Sequence, residues 1–272
     1  MIRKAGRGSR SLAARADKHA CYEASVQDPE SEVAFVSRTF RRLTGRPART
    51  LREDFCGTAV FSLAWAQSHR ERRAWGIDLD EPTLAYARDV RHADADAAVL
   101  ERVELMRANV LDGATPKVDV GVGFNFSYWT FKSRDRLRRY FEVAREGLVD
   151  DGVLFLDAYG GSEATKVEEN AREVDDFVYR WDQAAFNPLT NELQCHIHFD
   201  FDDGSSIERA FSYDWRMWTL PELRELLLEA GFSDVQMWWE RTDAEGDGTG
   251  RWYQPKRPDH EGVWWTYIAA LR

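Results

Sequence analysis

The sequence has 272 residues, of which 43% are apolar, and it carries a formal net charge of −10. This length is enough for one large α/β domain with an excursion, or for one domain with a small additional lobe. The acidic charge argues against the broad basic surface that nucleic-acid binding usually requires, and no apolar run approaches the roughly 18 residues that a membrane-spanning helix needs.

The N-terminal residues and the cysteines each have a distinctive pattern in the sequence. Basic residues are concentrated at the start of the chain, and we interpret residues 1–16 as a flexible, solvated basic tail in preference to an arm that contacts RNA or a membrane. Cys21, Cys56 and Cys195 are widely separated and form neither a disulfide framework nor a CxxC motif. This pattern predicts a protein of the reducing cytoplasm.

The first part of the chain alternates between helix-like and strand-like segments. Residues 17–45 have the apolar periodicity of a helix, which Pro47 closes. Strands are predicted at 49–55, 74–79, 103–110, 118–126 and 152–159, and helices at 58–68, 82–92 and 134–148. Such a βαβ rhythm predicts a parallel sheet with helices on both faces, and therefore the α/β class.

The rhythm changes after the fifth strand. Three strand-like runs follow one another at 177–186, 192–201 and 206–215, with Asp203–Gly204 as the turn between the last two. They predict an antiparallel insert over 175–216. A helix over 218–231, two final strands over 232–239 and 263–270, and a long Gly-, Asp- and Pro-rich loop over 243–261 complete the expected order.

The segment with the clearest chemical signal is the turn after the first strand, Glu53 to Ala59. Ligands of open α/β sheets bind beyond the carboxyl ends of the strands, Gly57 permits close approach to its backbone, and Thr58 is expected to cap the following helix. Asp78 ends the second strand, where a carboxylate can accept hydrogen bonds from both ribose hydroxyls. The turn lacks the G-x-G-x-x-G pattern of a pyrophosphate site, so a nucleoside without phosphates fits better than NAD.

The spacing of Glu53, Phe55, Gly57 and Ala59 resembles motif I of the class I S-adenosylmethionine-dependent methyltransferases, and Cys56-Gly57-Thr58 is similar to its CGTG version. The resemblance implies a Rossmann-like, seven-stranded, mostly parallel sheet over 17–272, with its last strand antiparallel and the insert after the fifth strand. It implies S-adenosyl-L-methionine as cofactor, bound by Tyr22, Glu53, Phe55, Cys56, Gly57, Thr58, Asp78, Leu79, Asn109, Val110, Asn125 and Phe126. Because Phe55 and Ala59 replace two glycines, the backbone of the turn is expected to follow a different route.

Three further assignments concern the substrate side. The resemblance implies that residues 17–48 form a helical lid over the cofactor, in which Tyr22 contacts the cofactor or is packed in an ordinary amphipathic helix. The insert is expected to roof the substrate site, with His196 and His198 on its inner face as a general base and Tyr128 beside the methyl group as a further catalytic residue. A metal site at Cys195-His196-Ile197-His198 is disfavoured, because only the two histidines share a strand face.

The frequent tryptophans after residue 181 have two interpretations. Most are expected to pack in the core or in a homodimer interface, and one or two remain as candidates for an aromatic cage around a cationic amine. The sequence as a whole predicts an enzyme that methylates nitrogen or oxygen of a small molecule. A protein methyltransferase and a non-catalytic nucleoside-binding protein of the same fold are the alternatives.

Overall fold

The computed structural model describes residues 10–93, 95–113, 115–243, 248–258 and 262–272. Its contacts divide the chain into two compact units. The antiparallel unit contains the residues up to Gln27 together with Lys166–Trp215, and the Rossmann-like unit contains Asp28–Thr165 and Arg216–Arg272. No described helix combines the length and the apolar character needed to cross a membrane.

The Rossmann-like unit is built on an eight-stranded sheet in the order β3-β2-β1-β4-β5-β12-β10-β11. Strands β1 to β5 run parallel, and β12 pairs antiparallel with both β5 and β10. The strands are β1 (Thr50–Asp54), β2 (Arg73–Asp78), β3 (Val103–Arg107), β4 (Val118–Gly123), β5 (Leu148–Gly160), β10 (Asp234–Thr242), β11 (Gly248–Tyr253) and β12 (Trp264–Leu271). Every residue of the central strand β4 is buried, as expected of a strand covered on both faces.

The helices of this unit cover the sheet. They are α2 (Pro29–Thr44), α3 (Val60–Ser68), α4 (Glu81–Tyr86) continued by a π-helical turn (Ala87–Arg91), α5 (Ala97–Leu100), α6 (Arg134–Glu146) and α7 (Leu220–Glu229), with a 3-10 turn at Ser127–Thr130. Helix α7 begins with the expected capping box, in which Thr219 and Glu222 exchange hydrogen bonds. Helix α6 buries the predicted apolar stripe, which includes Leu137, Tyr140 and Phe141.

The antiparallel unit is a four-stranded sheet in the order β6-β7-β8-β9, with the helix α1 (Lys18–Val26) packed on one face. Its strands are β6 (Glu168–Val174), β7 (Phe177–Asn187), β8 (Glu192–Phe201) and β9 (Ser206–Arg216). Helix α1 packs on the face that carries Ile197 and Phe199. The three predicted strands are confirmed, and β6 is an additional edge strand.

Four predictions about the elements are wrong. The segment 17–45, expected to be one helix, forms two helices, because Asp28 caps a second helix and Pro29 occupies its first turn. The helices α1 and α2 belong to different units, so residues 17–48 do not form a single lid. Helix 134–148 ends earlier, and Leu148 begins β5. The expected loop 243–261 contains β11, which adds an eighth strand, while residues 244–247 and 259–261 lie outside the described residues.

The fourth difference from the predictions lies in residues 11–16, which were expected to belong to a flexible tail. Residues 11–16 form a turn that is attached to the β8–β9 hairpin, since the Leu12 N–H donates to Asp203 Oδ2 at 2.7 Å and the Ala13 N–H to Ser205 Oγ at 3.0 Å. These residues are therefore part of the folded unit. Residues 1–9 of the predicted tail lie outside the described residues.

Candidate functional site

The turn after β1 has a left-handed backbone at three alternate positions. The φ angles are +58° at Phe55, +53° at Gly57 and +57° at Ala59. The expectation that Phe55 and Ala59 change the route of the turn is therefore wrong, because both adopt the conformation that glycine favours. A non-glycine residue in this region costs roughly 1–2 kcal/mol. Phe55 is held there by its ring contacts with Phe131 at 5.9 Å and Tyr140 at 5.6 Å.

Gly57 and Asp78 join the ends of two neighbouring strands. The Gly57 N–H donates to Asp78 Oδ2 at 2.8 Å, and Asp78 Oδ1 accepts the Asp80 N–H at 2.9 Å. A Cβ placed on Gly57 would meet no protein atom within 4 Å, so the space in front of this residue is open. The first two strand ends thus form a rigid, open edge with a carboxylate beside it, as a ribose site requires.

The start of helix α3 differs from the expectation. Thr58 is buried and does not cap the helix; the N-cap is Ala59, which has no side chain that can accept a hydrogen bond. Glu53, which lies in β1, caps the helix instead. Its Oε2 accepts a hydrogen bond from the Ser62 N–H at 2.9 Å and another from the Ser62 hydroxyl. Burial raises the pKa of Glu53 to about 8. Cys56 is also buried, beneath the turn, where burial raises the pKa of its thiol.

The ends of β2 and β3 present the residues expected around a nucleobase. Leu79, directly after Asp78, is 62% exposed, so it presents apolar surface at the end of β2. Asn109 forms a turn in which its Oδ1 accepts the Leu111 N–H at 3.0 Å, and Val110 is buried behind it. The parallel pairing of β1, β2 and β3 places these residues along the same edge of the sheet as Gly57.

The turn after β4 is held by a carboxylate that the sequence analysis missed. Asn125 and Phe126 both have positive φ angles, and their N–H groups donate to the two oxygens of Asp157 at 2.8 and 3.0 Å. Burial raises the pKa of Asp157 to about 7. The signal was present, since Asp157 is the only charged residue in the otherwise apolar run 153–159.

Tyr128 does not have the environment of a catalytic residue. The side chain is completely buried, and its hydroxyl donates to the backbone carbonyl of Asp157 at 2.7 Å. Its role is to fasten the turn after β4 to β5. We therefore correct the catalytic assignment of Tyr128 to a packing role.

Tyr22, His196 and His198 lie in the antiparallel unit. The Tyr22 ring packs against Phe211 with centroids 4.9 Å apart, and a cofactor contact for Tyr22 stays a prediction. The two histidines occupy the face opposite to Ile197, as strand alternation predicts. His198 is buried and its Nδ1 binds the Glu208 carboxylate, whereas His196 is partly exposed and its Nδ1 lies 2.8 Å from Ser212 Oγ.

Three of the seven tryptophans that follow Trp181 are buried core residues. Trp215, Trp218 and Trp238 are between 2% and 6% exposed. Trp252 and Trp265 are partly buried and pack on the cluster around Tyr267. The expectation of a core role is confirmed for the three buried rings.

Solved structures share this fold over nearly the whole chain. The CcbJ methyltransferase from Streptomyces caelestis matches with a TM-score of 0.69 at 17% identity, covering 96% of this chain and 98% of its own. Streptomyces venezuelae DesVI matches with a TM-score of 0.68 at 17% identity, covering 96% and 99%. CalS10 from Micromonospora echinaspora matches with a TM-score of 0.65 at 16% identity, covering 97% and 98%.

No family model matches the sequence, and no curated protein matches it either. At the identities of the solved structures, the comparison establishes the fold. The expected class I methyltransferase fold, with an antiparallel insert after the fifth strand, is confirmed. Within the described residues, the main sheet differs from the expected seven strands by an eighth strand, β11.

Proposed function

We propose that this chain, which has the class I methyltransferase fold, is an S-adenosylmethionine-dependent methyltransferase that acts on a small molecule. The observation that carries the proposal is the hydrogen bond between Gly57 N–H and Asp78, with open space in front of Gly57. A ligand that fills this space lies against a backbone with no side chain and beside a carboxylate. The carboxylate suits the hydroxyl groups of a ribose and repels a phosphate, and the bare backbone allows the ribose to approach closely.

The residues along the strand ends fit the cofactor part by part. Asp78 uses one lone pair of each oxygen for a backbone N–H, so each oxygen keeps a second lone pair for a ribose hydroxyl. Leu79 offers exposed apolar surface for the adenine ring, and the second lone pair of Asn109 Oδ1 is suited to its amino group. Glu53, Asn125 and Phe126 lie at the ends of β1 and β4, where the methionine part is expected.

The cofactor supplies a methyl group that is already activated by its positive sulfur. The protein therefore has to bind, to align the acceptor and to exclude water, and these tasks need rigid strand ends more than a reactive side chain. The turns after β1 and β4 are rigid for the same physical reason. Each is fixed by a carboxylate that accepts backbone N–H groups, Asp78 in one case and Asp157 in the other.

A small-molecule acceptor is supported by the acidic charge and by the solved structures. CalS10 is an amino pentose methyltransferase, KedS8 is a sugar N-methyltransferase and MtfA is a glycopeptide N-methyltransferase. Transfer to nitrogen or oxygen of a small molecule is accordingly our proposal for this chain. The proton of the acceptor is proposed to leave through His196 or His198, of which His196 is the more exposed.

The activity test is the release of S-adenosylhomocysteine when the protein and S-adenosylmethionine are incubated with pools of small metabolites, with amino sugars as a separate pool. Release that depends on one pool supports the proposal and gives the acceptor class. Release only with added protein substrates would instead indicate a protein methyltransferase. Tight binding of the cofactor without release in any pool would indicate a non-catalytic nucleoside-binding protein.

A further inference from the structure

A cavity of about 420 Å³ lies between helices α2 and α3 of the Rossmann-like unit. Its volume is within the range of small-molecule binding sites. Val33 and Ala34 of α2 and Ala64 of α3 form the apolar part of its wall. Among the described residues that line the cavity, none belongs to the cofactor site proposed at the strand ends. The cavity is therefore a second candidate site in this unit.

Arg72 lines this cavity, and its guanidinium group is held in a fixed position. Its Nη1 donates to Ser68 Oγ and its Nη2 to Ser37 Oγ, each at 2.6 Å. Each serine hydroxyl donates in turn to a backbone carbonyl of its own helix, at Trp65 and at Val33. The guanidinium also lies over the ring of Trp65, 3.9 Å from its centroid. Two hydroxyls and one ring therefore fix both the position and the plane of the cation.

The charge of Arg72 is not neutralised by an acidic residue. In the part of the chain that the structure describes, no aspartate or glutamate forms an ion pair with Arg72, and the adjacent Glu71 pairs instead with Arg49 at 2.8 Å. Partial burial lowers the pKa of Arg72, and no carboxylate acts against this effect. A guanidinium has five N–H donors, of which the two serines take two. Three donors are left without an acceptor among the described residues.

The cavity has a basic end, an apolar middle and an acidic end. Glu30 also lines it, and Glu30 precedes Ser37 by two helical turns, which is roughly 10 Å along the axis of α2. Val33 and Ala34 lie between these two residues. Because Arg72 is bound to Ser37, the carboxylate of Glu30 belongs to the opposite end of the cavity. This arrangement suits a ligand with an anionic head at Arg72 and an apolar chain that extends toward Glu30.

We propose that the cavity between α2 and α3 binds a small amphiphilic oxyanion, a carboxylate or a phosphate monoester that carries a short apolar chain. The planar fork of Arg72 matches two oxygens of one such group, and its fixed position reduces the entropy cost of binding. The chain lies on Val33, Ala34 and Ala64, where it removes apolar surface from water. Glu30 disfavours a second negative charge at the far end of the chain. This site does not depend on the proposed methyltransferase function.

The first arm of the test is isothermal titration of the wild-type protein with hexanoate, hexyl phosphate and the neutral hexanol, at constant ionic strength and without cofactor. We expect saturable binding of at least one of the two anions at one site per chain, and the tighter anion identifies the head group. Hexanol is expected to bind about tenfold more weakly or not at all, since it lacks the charge that Arg72 recognises. Binding of neither anion, or equal binding of hexanol, overturns the proposal.

The second arm locates the bound anion with variants. Arg72→Gln is expected to lower its affinity by about tenfold or more, whereas the control Arg70→Gln, which removes an exposed arginine two residues earlier, leaves the affinity unchanged. If Arg72→Gln does not fold, Ala64→Leu is the second variant, because it fills the apolar part of the cavity and keeps Arg72 with both of its serines. Unchanged affinity in the folded Arg72→Gln or in Ala64→Leu overturns the proposal.

The third arm tests the direction of the chain. The anion that binds is compared with its counterpart that carries a second carboxylate at the far end of the chain, which is adipate for hexanoate and 6-phosphonooxyhexanoate for hexyl phosphate. We expect the dianionic counterpart to bind more weakly to the wild type, and Glu30→Gln to reduce this difference while the affinity for the original anion is unchanged. Equal affinities of the two ligands for the wild type would overturn the placement of the chain toward Glu30.

Discussion

Asp78 accepts the backbone N–H of Gly57 at 2.8 Å, so one carboxylate connects the turn after β1 to the end of β2. The same carboxylate also receives the Asp80 N–H. Its side chain thus has a structural role and a proposed binding role.

The first prediction concerns Asp78→Ala. We expect the affinity for S-adenosylmethionine to fall by about one to two orders of magnitude, because a charge-assisted contact with the ribose is worth roughly 1.5–3 kcal/mol. Isothermal titration measures this loss. Asp80→Ala is the control, since it removes the N-cap of α4 and lowers stability without removing the ribose acceptor. Equal affinities of the two variants would contradict the assignment.

The second prediction concerns the open space at Gly57. Gly57→Ala is expected to fold, since its Cβ would meet no protein atom within 4 Å, and to lose about 1 kcal/mol of stability because φ is +53°. The added methyl group should collide with the cofactor and abolish measurable binding. Gly45→Ala, with φ +78° and equally open space at the end of α2, should show a similar melting temperature and unchanged binding. Normal binding by Gly57→Ala would show that the cofactor lies elsewhere.

The third prediction follows from the pKa of Glu53, which burial raises to about 8. Between its ordinary value and this value, the folded protein keeps a proton that the unfolded chain has lost. The contribution of Glu53 to stability is therefore present at low pH and is lost as the pH rises through this window. Urea unfolding from about pH 5.5 to about pH 8.5 should show a smaller loss of stability in Glu53→Gln than in the wild type.

Glu53→Gln retains an oxygen that can accept the hydrogen bonds from Ser62, so the local packing is preserved. The wild-type and Glu53→Gln curves should therefore be most different at the alkaline end. Parallel curves over the whole range would mean that Glu53 does not titrate in this window.

The fourth prediction separates the two histidines. His196→Gln is expected to slow methyl transfer while S-adenosylmethionine binding is unchanged, because a partly exposed imidazole is able to receive the acceptor's proton. His198→Gln is expected to lower the melting temperature, since His198 is buried and bound to Glu208. Turnover and melting temperature are measured for both variants. Unchanged turnover in His196→Gln and in the double variant would remove the histidines from the mechanism.

Much of the Rossmann-like unit was predictable, because its strands and helices differ in apolar period and are separated by clear capping residues. Thr219 with Glu222 is one example, and the wholly apolar strand β4 is another. Strand β6 had no such signal, since all but the last of its residues are exposed and it forms an edge. Strand β11 was obscured by glycines, and Trp252 is its only ring in the core cluster.

The site was predictable where it depends on motif spacing and not where it depends on packing. Gly57 and Asp78 follow from their positions at strand ends. The backbone conformation of Phe55 and Ala59 does not follow from the sequence. A left-handed backbone at a non-glycine residue is imposed by tertiary contacts, such as the contact of Phe55 with Tyr140.

The most direct test of the central claim is isothermal titration of the wild-type protein with S-adenosylmethionine, S-adenosylhomocysteine and NAD. The nucleoside site formed by Gly57 and Asp78 predicts one molecule of each sulfur ligand bound per chain, and no binding of NAD, whose pyrophosphate finds no G-x-G-x-x-G turn. Absence of heat with both sulfur ligands, or tighter binding of NAD, would contradict the account.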